Sequence, residues 1–210
     1  MQLLVVGATG GTGKQAVEQA LQRGYYVTAF VRDPAKLAIK HPNLTVLTGD
    51  VLKPDTLLHA VRRQDAVFCA LGSRPGQNNP VVADGTKNLI TAMRQAGVRR
   101  LLVVSSLGVG TSYEEASLPS KFFIKLVLKG VIAEKEIQEQ AIRQSKLDWV
   151  IARPTRLTNG PLTGKYRLGE HLPFSLFALP KISRADVAAF LLDQLDKDEY
   201  LGKAVTITGK

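Results

Sequence analysis

The chain has almost no cysteine: one, Cys69, in 210 residues. A lone thiol excludes an intrachain disulfide, so a hydrophobic core must hold the fold, and a reducing compartment such as the cytoplasm is expected. Histidine is nearly as scarce. His41, His59 and His171 are too scattered to suggest a zinc site, so no metal centre is expected. No apolar run approaches the roughly 20 residues of a membrane span. The opening MQLLVVGATGG lacks the basic start and long apolar stretch of a signal peptide, which again points to the cytoplasm. Acidic residues are also few, 18 Asp and Glu against 28 Lys and Arg, leaving a formal charge of +10. The basic residues are spread along the chain rather than gathered in a stripe. That favours an anionic small molecule as partner, and no nucleic acid is expected.

What is present is a core. Apolar residues make up 45% of the chain and charged ones 22%, the balance of a globular protein of a size that one α/β domain can occupy. The runs LLVVG, YYVTAFV, LTVLTGD, DAVFCAL, RRLLVVSS and DWVIARP read as buried strands, and AVTIT as a last one. Between them, Lys14 to Gln22, Asp55 to Val61, Asn79 to Ala96 and Ile132 to Gln144 carry apolar residues at helical spacing. Alternating strand and helix predicts a single α/β domain over residues 1–210, a doubly wound, mainly parallel Rossmann sheet with helices on both faces. The glycine- and proline-rich stretch 158–180 reads as a loop or small C-terminal lobe on the substrate side. Ser183 is placed to cap the next helix, with Asp186 in its first turn.

The stretch GATGGTGK follows the first strand and opens the first helix. Gly7 can make the tight turn, Gly10 lets the backbone approach a pyrophosphate, and Gly13 lets helix and sheet pack closely. Free N–H groups at the helix start then meet the phosphates. The second strand ends in FVRDP, where the adenosine ribose is read. Arg32 offers a charge-assisted partner for a 2′-phosphate, with Lys14 and Lys36 nearby, so NADP(H) is the expected cofactor. Asp33 could instead serve a 2′-hydroxyl. Asp50 could accept from the adenine amino group.

Together GATGGTG, FVRDP, TGDV, ALGSR, DGTKNL, VVSS, DWVIARP, PLTGKY and ISRADVA resemble the atypical short-chain dehydrogenase/reductase family over essentially the whole chain. Within it the similarity is greatest to the NADPH-dependent flavin reductase, or biliverdin-IXβ reductase, branch. The resemblance implies Gly7, Thr9, Gly10, Gly11, Thr12 and Gly13 at the pyrophosphate, Arg32 and Lys36 at the 2′-phosphate, and Asp50 and Val51 at adenine. It further implies Ala70, Leu71, Gly72 and Arg74 along the middle of the cofactor, and Ser105 and Ser106 beside the nicotinamide. Pro154, Thr155 and Arg156 would flank the carboxamide, with Arg156 standing where the flavin reductase has a histidine. A monomer is implied as well.

Classical members of this superfamily use Tyr-x-x-x-Lys to move a proton. Lys135 occupies the lysine position, but Val131 stands where the tyrosine belongs. Tyr113 lies nearby and could substitute as an acid, or be a loop aromatic. Without the phenol, reduction of a ketone is disfavoured, because an alkoxide needs a proton at once. A small planar acceptor such as a flavin, quinone or tetrapyrrole can spread the charge, so Ser106 and Lys135 are the catalytic candidates for an NADPH-dependent reductase. The alternative is an NmrA-like protein that senses NADP(H) without turnover. Tyr166, His171, Phe174 and Phe177 could cover a planar acceptor or fill a cluster of their own. Cys69 reads as a core residue. KFFIKLVLKG, residues 121–130, could touch an anionic membrane, but the commoner arrangement lays its apolar face on the domain.

Overall fold

The computed structural model describes residues 1–73 and 80–210. In β1 (Gln2–Val6), Leu3 and Val5 enter one hydrophobic layer while Leu4 and Val6 enter the other. Side chains alternate across a strand, so a run this apolar requires cover on both faces of its sheet. The remaining strands are β2 (Tyr26–Val31), β3 (Leu44–Thr48), β4 (Ala66–Cys69), β5 (Arg100–Val104), β6 (Asp148–Pro154), β7 (Arg156–Thr158), β8 (Tyr166–Gly169), β9 (Lys181–Ser183) and β10 (Lys203–Gly209). Eight of them form one sheet in the order β3-β2-β1-β4-β5-β6-β10-β8; β7 and β9 pair separately. Every pairing in the large sheet is parallel except that of β8 with β10.

Helices α1 (Gly11–Gln22), α2 (Pro54–Val61), α3 (Ala83–Ala96), α4 (Ser112–Glu115), α5 (Leu118–Phe123), α6 (Lys129–Arg143) and α7 (Arg184–Asp193) complete the chain. One face of the sheet is covered by α1 and α7, through Ala16, Val17 and Ala20 against Val187, Ala188 and Leu191. The other is covered by α2, α3 and α6, through Leu57, Leu89, Met93 and Ile142. This is the doubly wound Rossmann arrangement that the alternating runs predict. The expected cap on α7 is also present. The Asp186 N–H donates to Ser183 Oγ at 2.9 Å, and the Asp186 carboxylate receives the Thr163 and Gly164 N–H groups at 2.8 and 2.9 Å. Burial alone would raise its pKa, but those N–H groups and the Ser183 and Thr163 hydroxyls hold it below the usual carboxylate range.

Two stretches differ from their reading in the sequence. Within 158–180, Tyr166–Gly169 is an edge strand of the main sheet, and the Tyr166 ring packs edge-to-face on Phe190 of α7, centroids 6.2 Å apart. An aromatic surface buried on a helix is more stable than one held over an open site, so Tyr166 belongs to the core rather than to an acceptor cover. Residues 121–130 lay only part of their apolar surface on the domain, Ile124 and Leu128 packing on Leu107 and Ile132, while Phe122, Phe123, Leu126 and Val127 stay exposed. The stretch runs from α5 through a π turn, Ile124–Leu128, into α6, and of the large apolar side chains in α5 and the π turn only Ile124 is buried.

Candidate functional site: a dinucleotide cavity at the sheet switch point

The β1-to-β2 connection leaves the sheet on one side of β1, and the β3-to-β4 connection crosses to the other. A crevice therefore opens at the carboxyl ends of β1 and β4. A cavity of about 800 Å³ fills it, lined from the ends of β1, β2, β4 and β5. Its floor is the glycine loop. Gly7 has φ +84, and a Cβ there would stand 2.7 Å from the Ala70 carbonyl oxygen; a Cβ on Gly13 would fall on the Gly7 carbonyl. These clashes leave a cradle shaped by backbone, into which α1 points its first turn. Gly10, its N-cap, has no capping side chain, which leaves the first N–H groups for an anion. The cradle fits a dinucleotide pyrophosphate.

At the β2 tip, Arg32 is exposed and lines the cavity, and it makes no ion pair among the described residues. Asp33 does not line it. One Asp33 oxygen accepts from the Ala35 N–H at 3.1 Å and the other pairs with Lys36 at 3.2 Å, so this carboxylate is used by the turn. Lys36 itself reaches the lining. Gly49 and Val51 line the cavity beyond the β3 tip, whereas Asp50, between them, accepts from the Leu52 N–H through its Oδ1. Ala70, Leu71 and Gly72 form the middle wall; Arg74 lies outside the described residues.

The inner end is built by Val104, Ser105, Ser106, Leu128, Val131 and Lys135. The buried Lys135 ammonium donates to the carbonyls of Leu71 and Val104, both at 2.7 Å, and to Gln138 Oε1 at 2.9 Å. All three of its N–H bonds are used. It ties the end of β5 to the loop after β4, which makes it a positioning residue rather than a free acid. Burial lowers its pKa to about 8, opposed by the nearby Cys69 and Glu139. Ser106 is half-buried and donates to the Leu107 carbonyl at 3.1 Å. Ser105 donates to Glu139 at 2.6 Å, and Arg153 binds both oxygens of that carboxylate at 2.9 and 2.6 Å.

Other candidates stand apart. Pro154 and Thr155 are buried in the sheet, Arg156 is exposed on β7, and none of the three is in the cavity wall; Leu157 is. Tyr113 is outside it too, with the Lys121 ammonium 5.6 Å from its ring centroid. His171 is exposed and sits 3.0 Å from Glu115 Oε1, and Phe174 joins a small apolar cluster with Leu107 and Ile132. Cys69 is buried, and burial pushes its thiol up, as befits a core residue.

The family model described as NAD(P)H-binding matches residues 7–198 of this chain. The chain belongs to the NAD(P)H-binding family. A chloroplastic Arabidopsis thaliana protein is 36% identical over 219 residues, covering 100% of this chain and 77% of the relative. The photosystem II assembly factor Ycf39 of Synechocystis is 29% identical over 215 residues; the match takes in 95% of this chain but only 61% of the longer factor. Among solved structures, the Escherichia coli protein ChuY, described as an anaerobillin reductase, superposes with TM-score 0.83 at 24% identity, covering 99% of this chain and 96% of that one. As a member of the family, the chain takes NAD(P)H as its cofactor.

Two features of this NAD(P)H-binding site escape a reading of motifs. Arg184, the first residue of α7, lines the cavity beside Gly11, where an added Cβ would stand 2.6 Å from Arg184 Cδ; its Nη1 donates to Asn159 at 2.7 Å. The Glu139–Arg153 pair is the other. Its signal is strand parity: Arg153 falls in step with Trp149 and Ile151, which face the α3 and α6 layer.

Proposed function

We propose that the protein is a monomeric cytoplasmic reductase that uses NADPH to reduce a small conjugated acceptor, a flavin, quinone or linear tetrapyrrole. The observation that carries this reading is the inner end of the cavity. Val131 stands one helical turn before Lys135, and the Lys135 N–H bonds are all engaged, so among the described residues the Tyr-x-x-x-Lys positions hold no group set to protonate an alkoxide. An acceptor that delocalises the added charge and takes its proton from solvent needs none. Bound NADPH supplies the hydride. The chain's own residues hold and orient: the glycine loop and Arg184 at the pyrophosphate, Arg32 and Lys36 at the 2′-phosphate, Ala70 to Gly72 at the middle, and Ser106 at the nicotinamide end. Leu128 and Val131 offer an apolar wall to a planar ring. The reductase named among the structural relatives supports this reading.

The same missing phenol, with an assembly factor among the relatives, favours a second reading: an NADP(H)-responsive regulatory protein without turnover. NADPH oxidation followed with FMN, menadione and biliverdin separates the two. Turnover with at least one acceptor is expected. Tight NADPH binding with none turned over would establish the regulatory reading instead.

A further inference from the structure

The surface around the π turn exposes several large apolar side chains close together in the chain. Phe122 and Leu126 are 70% and 71% exposed, and Phe123 is half exposed beside them. The loop that follows β8 adds Leu176, Phe177 and Leu179, the last two each 73% exposed. Hydrogen bonds join the two segments: the Leu118 N–H donates to the Leu176 carbonyl at 2.9 Å, and Ser117 Oγ to the Ala178 carbonyl at 2.6 Å. The two exposed apolar segments therefore adjoin. Proteins that remain free in water rarely expose such a patch, because each of these side chains gains by leaving water.

Charge says what covers it. Lys125 and Lys129, from the same stretch, are exposed and make no ion pair among the described residues. The whole chain carries +10. Bulky apolar side chains with lysines set among them match the boundary between headgroups and acyl chains in an anionic bilayer, where the rings enter and the ammonium groups stay with lipid phosphates. A two-fold pairing of this face would instead bring the lysines of two copies together, which like charges oppose.

We propose that this face docks the protein on an anionic membrane surface, with Phe122, Leu126 and Phe177 entering the headgroup region and Lys125 and Lys129 meeting phosphates. Leu128 and Val131, next along the chain, line the inner end of the cavity, so docking brings the acceptor end of the site beside the lipid. The proposal holds whether or not the cofactor is turned over.

Flotation of the whole protein with vesicles tests it without any assay of activity. The protein is expected to float with phosphatidylglycerol–phosphatidylcholine vesicles and not with phosphatidylcholine alone. The double variant Lys125→Gln/Lys129→Gln should partition about thirtyfold more weakly, each lysine near an anionic surface being worth about fivefold. Phe122→Ser/Leu126→Ser should abolish flotation while keeping the wild-type melting temperature, since both side chains are exposed. Failure to float with anionic vesicles, or equal flotation with neutral ones, would overturn the proposal. So would a concentration-dependent dimer, seen by light scattering, that Phe122→Ser dissolves.

Discussion

The two ends of the cavity are built by different means. At the glycine-loop end the shape comes from backbone: Gly7 in a left-handed turn, Gly13 against the Gly7 carbonyl, and the uncapped start of α1. At the inner end it comes from buried side chains, Lys135 joining the end of β5 to the loop after β4 and Ser105, Glu139 and Arg153 forming a charged cluster behind them. A phosphate is met by peptide N–H groups that need no particular side chain, so short glycine spacings suffice to specify that end. The other end is specified only where distant segments meet, with Ser105 and Arg153 contributing from different strands to one carboxylate of α6.

This contrast predicts unequal responses to mutation. The largest effect is expected from Glu139→Ala, which leaves the Arg153 guanidinium buried without its anion. Breaking a pair of this kind costs about 3–5 kcal/mol, or roughly 6–20 °C in Tm for a chain of this size. Thermal unfolding should show that loss; a Tm within a degree or so of wild type would remove the side-chain half of the comparison. Arg32→Asp touches the other end and should leave Tm alone. It should lower the preference for NADP(H) over NAD(H) by about ten- to hundredfold, the worth of a charged hydrogen bond of roughly 1.5–3 kcal/mol, as read from Kd values for both cofactors. An unchanged ratio would move the 2′-phosphate site away from Arg32.

The smallest effect concerns Lys135, at the inner end. The Lys135 pKa is lowered to about 8, so its charge is present below that pH and lost above it. Loss of a nearby positive charge weakens binding of an anionic cofactor. NADPH affinity is therefore expected to fall by about three- to tenfold as pH rises from about 6.5 to 9.5. Fluorescence titration would measure it. The same slope in Lys135→Met would assign the titration to another group.

The glycine-loop end of the cavity is legible in the sequence because its determinants are local. Gly7, Gly10 and Gly13 lie within one turn and one helix start, and Arg32 needs only the end of the next strand. Five of the six apolar runs mark the parallel core for the same reason, since a strand buried on both faces writes its environment into consecutive residues; LTVLTGD, read as buried, is instead the edge strand β3, with no fully buried residue, because it has a neighbour on one side only. The inner end is less legible. Arg153 looked like part of an apolar strand, and its role depends on Glu139 facing it across the layer. Tyr166 resembled an acceptor-side aromatic because its strand runs antiparallel at the sheet edge, a pairing that no local pattern announces. The stretch from Lys121 misled for a different reason: its apolar residues have the spacing of a buried helix face, but the π turn changes where they point.

That π turn amounts to one residue more than an α-helix of the same span would hold. Each residue of an α-helix advances about 100° around the axis, so removing one from 124–128 would wind α5 and α6 into a single regular helix. The part before the deletion would then turn by about that angle relative to Val131 and Lys135, carrying Phe122 with it. A single extra residue thus sets which way the outer surface looks while the cavity wall one turn further on keeps its place.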